Sequence, residues 1–364
     1  MMKRNAHLAW VTILAFLLAM TFAGTASPVL GAEYFKELRL ASPMPPQSFA
    51  GQMHQWWAKE LEKRTNGRVK VKFFWMESLV KWKDMLQGVA SGIADVGLVA
   101  PTYHPSDLPL YMLLDNPLNA VDYWAGVRAC TDTCTKQPDL VAELKRNHIK
   151  HVAPWCSGKF NFCTKKKWNA LSELKGKTFR SYGGAQIDFL ENLGINPIFM
   201  SYSEIYEALQ RGTIDGNGTC VLQLSDALKH YETIEQCTDM QAGFVVAGSS
   251  LALNYEVWEG MPKDIQQIID QLNYDMGDYW AKSLYEDEAK IEEKWKTKYG
   301  ILFNEISGQN KVISDAAAEK ADETFIAKLE AQKLPAKKVW SYFRNQVIKY
   351  QDEVKAKGRP WERK

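Results

Sequence analysis

The sequence predicts an α/β protein of two domains, with sheet strands paired in parallel and helices laid across the sheet faces. Two observations predict it. Short apolar runs with the period of a strand alternate with longer stretches of helical period, and strands separated by helices pair in parallel. The chain of 364 residues, with an N-terminal leader set aside, keeps about 330, more than a single hydrophobic core usually serves. Its 46% hydrophobic content can fill both cores.

The leader comes first. Lys3 and Arg4 precede an apolar stretch from Leu8 to Ala23, broken by Thr12 and Thr21, and small residues follow through Ala26. This is the pattern of a secretory signal peptide over residues 1–32, with cleavage near Ala26 or Ala32. Its roughly 15 apolar residues fall short of the roughly 20 that a spanning helix needs.

Glu37 to Ser42 reads as a strand, ended by Pro43, Pro45 and Pro46. A helix follows from about Phe49 through Trp56, Trp57 and Leu61, and stops at Thr65-Asn66-Gly67, where glycine suits the left-handed position after a helix end. Val69, Val71 and Phe73 alternate with Arg68, Lys70 and Lys72, the period of a strand with one buried face. A second helix carries Met85, Leu86 and Val89 to Gly92, and Ala94 to Val99 is a buried strand. Ligands of such sheets sit beyond the carboxyl ends of the strands, so the loops after Ser42, Phe74 and Val99 are candidate site loops.

A second unit starts near His151 and Trp155, passes a cysteine-flanked turn, and reaches a strand at Thr178-Phe179-Arg180. Ser201 and Glu204 form a capping box for a helix from Tyr202 to Arg211, closed by Gly212, and Ile214 to Gly216 start the next strand and turn. Pro262 opens a long helix through Ile265, Ile268, Leu272, Met276 and Trp280 that ends at Gly300. Further helices extend from about Val312 to Lys357.

Charge and motifs exclude more than they assign. With 45 basic and 43 acidic residues, no global field points to nucleic acid or an anionic membrane. The sequence has no H-E-x-x-H, no G-x-S-x-G and no Walker loop, and Gly216-Asn217-Gly218 lacks the remaining glycine of a dinucleotide fingerprint. His148 and His151 stand without a companion signature and read as surface or satisfied residues. The six cysteines follow a signal peptide, in an oxidising compartment that permits disulfides. Six cysteines allow 15 connectivities. Proximity in sequence suggests Cys130 with Cys134, Cys156 with Cys163, and Cys220 with Cys237. A metal reading is weaker, because no C-x-x-C knuckle occurs and the histidines are scattered.

Several segments in order carry a resemblance. Glu173-Leu174-Lys175-Gly176-Lys177-Thr178-Phe179-Arg180, followed by Glu204-Ile205-Tyr206-Glu207-Ala208-Leu209-Gln210-Arg211-Gly212-Thr213-Ile214-Asp215-Gly216, resembles the DctP-type solute-binding proteins of TRAP transporters. Thr65 to Val71 and Gln87 to Gly97 match as well. The resemblance implies a type II-like periplasmic binding protein of two discontinuous lobes joined by hinge strands and a long helix. Lobe I would be residues 33–155 plus 243–285, lobe II 156–242 plus 286–340, and 341–364 a helical extension. It also implies a non-catalytic, periplasmic receptor for a small organic acid that serves integral-membrane TRAP permease subunits; a monomer without cofactor is the expectation, although the sequence itself does not name the oligomeric state.

In that family the arginine of the K-x-R motif grips the ligand carboxylate, and Arg180 occupies its position. A guanidinium offers a planar fork that matches a carboxylate and stays charged at any working pH. Without the surrounding motif, Arg180 would read as a surface strand residue paired with an acid. This chain also departs from its sialic-acid-binding relatives. Phe160 stands where they carry a second arginine, so that grip is missing or moved to Lys159. In the segment Asp215-Gly216-Asn217-Gly218-Thr219, Thr219 replaces the ligand-contacting asparagine, beside Asn217. Ala100 and Tyr103 replace a polar or charged pair, Trp82 replaces an acid, and Tyr202 matches an aromatic platform beside the carboxylate. Trp155 joins these at the cleft, and Ser42 opens the first candidate loop. An apolar lining with one orienting arginine suits a monocarboxylate whose body is apolar or aromatic, and suits a sugar acid poorly. The binding subunit of an ATP-driven importer, a sensor's periplasmic partner and a secreted hydrolase are the alternatives.

Overall fold

Leu38 and Leu40 alternate with Glu37 and Arg39 and are wholly buried, which makes Lys36–Ala41 the first strand, β1. It opens a computed structural model that describes residues 34–363 apart from 119 and 121. The signal peptide expected over 1–32 lies outside the described residues, as do the side chains of Cys156, Ser157, Phe160 and residues 244–248. Lys36–Lys364 gather into one unit.

The opening run is the expected one. Helix α1 (Phe49–Arg64) starts where the Ser48 side chain accepts from the Gly51 amide at 3.1 Å, and it stops before Asn66 and Gly67, whose φ angles are 51° and 79°. Strand β2 (Val69–Phe74), helix α2 (Met85–Ala90) and strand β3 (Val96–Val99) complete the β-α-β-α-β unit. Helices α3 (Tyr123–Lys136) and α4 (Pro138–Arg146) follow, then strand β4 (Ile149–Thr164). The turn expected between the cysteines of this segment is instead continuous strand, with register shifts where β4 pairs its neighbour.

Strand β5 (Thr178–Ser181), helix α5 (Ala185–Asn192), strand β6 (Asn196–Phe199), helix α6 (Ile205–Arg211) and strand β7 (Gly216–Cys220) form a second β-α-β-α-β unit. The Ser201 amide donates to Glu204 at 2.7 Å, and Gly212 closes α6 with φ at 74°. Helix α7 (Leu222–Ala227) leads to the long strand β8 (Gln236–Asn254) and helix α8 (Tyr255–Glu259). Helix α9 (Lys263–Tyr299) has 37 residues, about 55 Å at 1.5 Å per residue, and ends at Gly300 in the left-handed region. Strand β9 (Leu302–Glu305) and helices α10 (Gly308–Ala331) and α11 (Ala336–Lys357) finish the fold.

Among the described residues the strands form one sheet in the order β2-β1-β3-β8-β4-β7-β5-β6, with β9 beside β8. The β1–β2, β1–β3, β5–β6 and β5–β7 pairs are parallel, and the central β8–β4 pair is antiparallel. Both central strands run through the two halves: β8 meets β3 at residues 250–253 and β9 at 236–239, while β4 meets β7 at 161–164. They connect the two halves of the sheet. One core packs Trp57, Leu61 and Val96 beside β1; another packs Phe162, Phe179 and Phe189, with ring centroids 5.4 and 6.0 Å apart. Each such side chain contributes roughly 1.5 to 3 kcal/mol on full burial.

The cysteine pairing differs from the expectation. Cys163 of β4 and Cys237 of β8 are register partners across the antiparallel pair and form a disulfide, which excludes Cys156–Cys163 and Cys220–Cys237. Cys130 and Cys134 lie a turn apart on α3 with sulfurs 3.8 Å apart and no disulfide between them, and Cys220 remains a buried thiol. Proximity in sequence misled because the bond follows strand pairing over a separation of 74 residues.

Candidate functional site

Strand alternation sends Phe179 into the aromatic core and Arg180 to the other face, at the carboxyl end of β5. Arg180 is 4% exposed. Its Nη1 donates to Thr219 Oγ1 at 2.8 Å and its Nε to the Met200 carbonyl at 3.3 Å. Of the five guanidinium N–H groups these bonds use one each on Nη1 and Nε, which leaves both Nη2 donors and one Nη1 donor for a further acceptor. Burial lowers the Arg180 pKa, and Tyr103, Tyr202 and Tyr182 offset part of that effect. A guanidinium remains charged under such a shift. Among the described residues no carboxylate lies within ion-pairing distance of Arg180, although Asp115 lines the same cavity.

Tyr202 holds the other side of the guanidinium, with its ring centroid 5.1 Å from Arg180 Cζ. Its hydroxyl accepts from the Val221 amide at 2.9 Å and lies 2.7 Å from Ser225 Oγ. His230 stacks on the same ring at 5.5 Å, so arginine, tyrosine and histidine form a layered cluster. Both His230 ring nitrogens are buried without a partner, and burial together with Arg180 lowers its pKa to about 4.

These groups border a cavity of about 60 Å³, lined further by Trp82, Ala100, Tyr103, Trp155, Val221 and Leu224. A buried water occupies some 10 to 15 Å³ on this measure, so the cavity has room for about four to six water-sized groups. Trp82 packs edge-on to Tyr103 at 5.5 Å, and Tyr103 packs edge-on to Phe199 of β6 at 6.2 Å. Since Tyr103 follows β3 and Phe199 ends β6, that contact bridges the two halves of the sheet. Trp155, on β4 between them, rests on Trp280 of α9 at 4.9 Å.

Of the residues expected from sequence, Arg180, Tyr202, Thr219, Trp155, Trp82, Ala100 and Tyr103 all line this one cavity. Asn217 and Ser42 do not. Asn217 accepts from the Thr219 amide at 3.2 Å, behind the wall. Ser42 is wholly buried and bonds His54 and the Met44 amide, both at 3.2 Å, because the first strand's end is covered by α1. The Phe160 side chain lies outside the described residues. Lys159 does not supply a second grip: it pairs with Asp239 at 3.0 Å and lines a separate polar cavity of about 250 Å³ with Glu288 and Glu305.

A family model described as "Bacterial extracellular solute-binding protein, family 7" (DctP) matches residues 40–328. The chain belongs to this family. Among DctP-like relatives, the C4-dicarboxylate-binding periplasmic protein DctP of Rhodobacter capsulatus is 23% identical over 91% of this chain and 99% of its own length. A TRAP periplasmic solute-binding protein of Desulfovibrio salexigens, solved in an open complex, is 28% identical with a TM-score of 0.73, over 86% of this chain and 96% of that one. A marine metagenome TRAP solute-binding protein specific for aromatic acid ligands, co-crystallised with 3-hydroxybenzoate, has a TM-score of 0.79 at 19% identity, over 87% and 99%. The DctP-family fold of two lobes is thus this chain's fold.

Sequence reasoning missed Thr102, Asp115, Tyr182, Val221, Leu224 and Ser249 in the cavity wall. Tyr182 and Val221 each follow an expected residue by two positions, the strand period, and were findable on that signal. Asp115 sits on a 3₁₀ turn with no sequence motif, and Ser249 on β8.

Proposed function

We propose that this DctP-family chain is an extracytoplasmic receptor that captures a small monocarboxylate with an apolar or aromatic body and delivers it to a TRAP-type membrane permease. The observation that carries the reading is Arg180: a buried guanidinium, held by Thr219 and Met200, that lines the cavity with no ion pair to a carboxylate among the described residues, Asp115 being the acid elsewhere in the same wall. The ligand carboxylate completes the ion pair there. Its body then lies against Trp82, Ala100, Tyr103, Trp155, Val221 and Leu224, surfaces that reward apolar contact, while Thr102, Asp115 and Ser249 offer fewer partners than the hydroxyls of a sugar acid need. The limited cavity volume favours a compact acid, and the indole N–H of Trp82, buried without a partner, is a donor for one acceptor on the ligand's body. 3-Hydroxybenzoate, co-crystallised with the marine metagenome relative, joins a carboxylate to a flat ring, the ligand chemistry inferred here.

Capture works by closure. Residues 33–155 with 243–285 would form one lobe and 156–242 with 286–340 the other, rotating about β4 and β8, with 341–364 as an extension. The closed form docks on the permease from the periplasmic side.

A thermal-shift panel tests the ligand class, because a ligand that binds the folded state raises stability by mass action. Benzoate, 3-hydroxybenzoate and branched aliphatic monocarboxylates are expected to raise the melting temperature, and galacturonate and succinate to leave it unchanged. The reverse order rejects the reading.

A further inference from the structure

Away from the organic-acid cavity, a fully buried cluster brings together side chains of metal-binding type. Cys130 and Cys134 lie a turn apart on α3, the spacing that puts two side chains on one helix face. Their sulfurs and a ring nitrogen of His151, on the adjacent strand β4, all lie within 4.8 Å of one another. The three residues are 0, 3 and 1% exposed. The hydroxyl of Tyr111 lies 3.3 Å from His151 Nδ1, and His151 Nε2 has no partner.

The separations fit one tetrahedral ion. Zinc–sulfur bonds of about 2.3 Å place two tetrahedral thiolates about 3.8 Å apart, and the sulfurs of Cys130 and Cys134 are 3.8 Å apart. A nitrogen and an oxygen each about 2.0 Å from the same ion lie about 3.3 Å apart, the distance between His151 Nδ1 and the Tyr111 hydroxyl. A thiol–thiol and a phenol–imidazole hydrogen bond would share these separations, but neither would call for the two pairs to converge with all three ligand atoms of Cys130, Cys134 and His151 within 4.8 Å. Charge points the same way. Two thiolates balance Zn²⁺, and neutral imidazole and phenol leave the buried site without net charge, whereas Cu⁺ would leave it negative.

We propose that Cys130, Cys134 and His151, with Tyr111 as fourth donor, bind a zinc ion that ties helix α3 to the hinge strand β4. Binding exchanges two thiol protons for the ion. The absence of a C-x-x-C knuckle hid the site, because its ligands come from a helix and a neighbouring strand rather than from one turn.

The test uses the full chain, isolated and kept without reductant so that the Cys163–Cys237 bond stays closed, then stripped with a chelator and titrated with zinc against a chromophoric chelator. One equivalent is expected to bind, with affinity reduced about a hundredfold or more in Cys134→Ser. Cobalt(II) added to the unmodified chain is expected to give thiolate-to-metal charge-transfer bands and the strong visible bands of a tetrahedral ion. That spectrum needs no variant and decides the matter even where Cys134→Ser fails to fold. A cobalt spectrum without these bands, an affinity unchanged in Cys134→Ser, or peptide mapping that finds Cys130 joined to Cys134 in the isolated protein overturns the proposal. Copper(I) binding where zinc and cobalt do not overturns the zinc assignment.

Discussion

The guanidinium of Arg180 lies against the ring of Tyr202, 5.1 Å from its centroid, and the hydroxyl of the same tyrosine is anchored to the Val221 amide at 2.9 Å. The cation is therefore positioned by a residue that is itself held at the far end, on the strand exit that carries Thr219. A preset cation binds an anion without first losing its own rotamer freedom.

Replacing Arg180 with Ala removes the charge partner of the ligand and is expected to weaken binding by about 2 to 5 kcal/mol, roughly thirtyfold to several thousandfold. Arg180→Lys keeps the charge but loses the fork, and should recover only part of the affinity. Titration calorimetry that gives equal affinities for Arg180→Ala and the parent would contradict the assignment.

Tyr202→Phe keeps the ring under the cation but leaves the Val221 amide and the Ser225 hydroxyl without their partner. Such a loss costs about 1 to 3 kcal/mol of stability. Tyr202→Leu should lose the cation contact too, and bind the ligand more weakly than Tyr202→Phe. Denaturant melts and calorimetry of both variants separate the two effects.

His230 is buried against Tyr202 with its pKa lowered to about 4, against an ordinary 6.5. Between these values the unfolded chain binds the proton and the folded chain does not, so stability falls as pH falls, by up to about 1.4 kcal/mol per unit. Glu143 and Glu288, pushed up to about 7 by burial, work in the opposite sense, since their folded forms hold protons more tightly as pH falls below 7. The contribution of His230 is therefore read as a difference. His230→Phe keeps a stacked ring, and its stability relative to the parent should climb as pH drops from 6.5 to 4. Parallel urea-derived curves would rule this out.

The Cys163–Cys237 disulfide joins the central strands across a separation of 74 residues. Cys163→Ser combined with Cys237→Ser is expected to cost about 2 to 4 kcal/mol. Peptide mapping without reductant should recover the linked peptides. Recovery of Cys220 linked to Cys237 would refute the pairing.

Tyr103 and Phe199 meet edge-on across the halves, at 6.2 Å. An aromatic pair contributes about 0.5 to 1.5 kcal/mol beyond burial, so Phe199→Ala should speed ligand release roughly two- to tenfold. Stopped-flow displacement measures this, and an unchanged release rate would show that the contact plays no part in closure.

The sequence was most readable where a single local rule governs. The alternation around Val69, the stop at Gly67 and the cap at Ser201 and Glu204 each rest on neighbours in the chain, and each element appears where expected. The wall residues Arg180, Tyr202 and Thr219 were legible through motif positions. The long strand β8 was not, because glycines and buried polar residues interrupt its alternation. The cysteine pairing and Asp115 were hidden for a related reason: both depend on which strands and turns become neighbours in space. Ser42 misled because the loop after β1 is sealed by α1, so its hydroxyl turns to His54 instead of a ligand.

Calorimetric titration of the parent chain and Arg180→Ala with benzoate, and with benzamide as its neutral isostere, tests the central claim most directly. The account predicts that the parent binds benzoate and not benzamide, and that Arg180→Ala binds benzoate far more weakly. Equal binding of acid and amide by the parent, or benzoate binding unaffected by loss of Arg180, would contradict it.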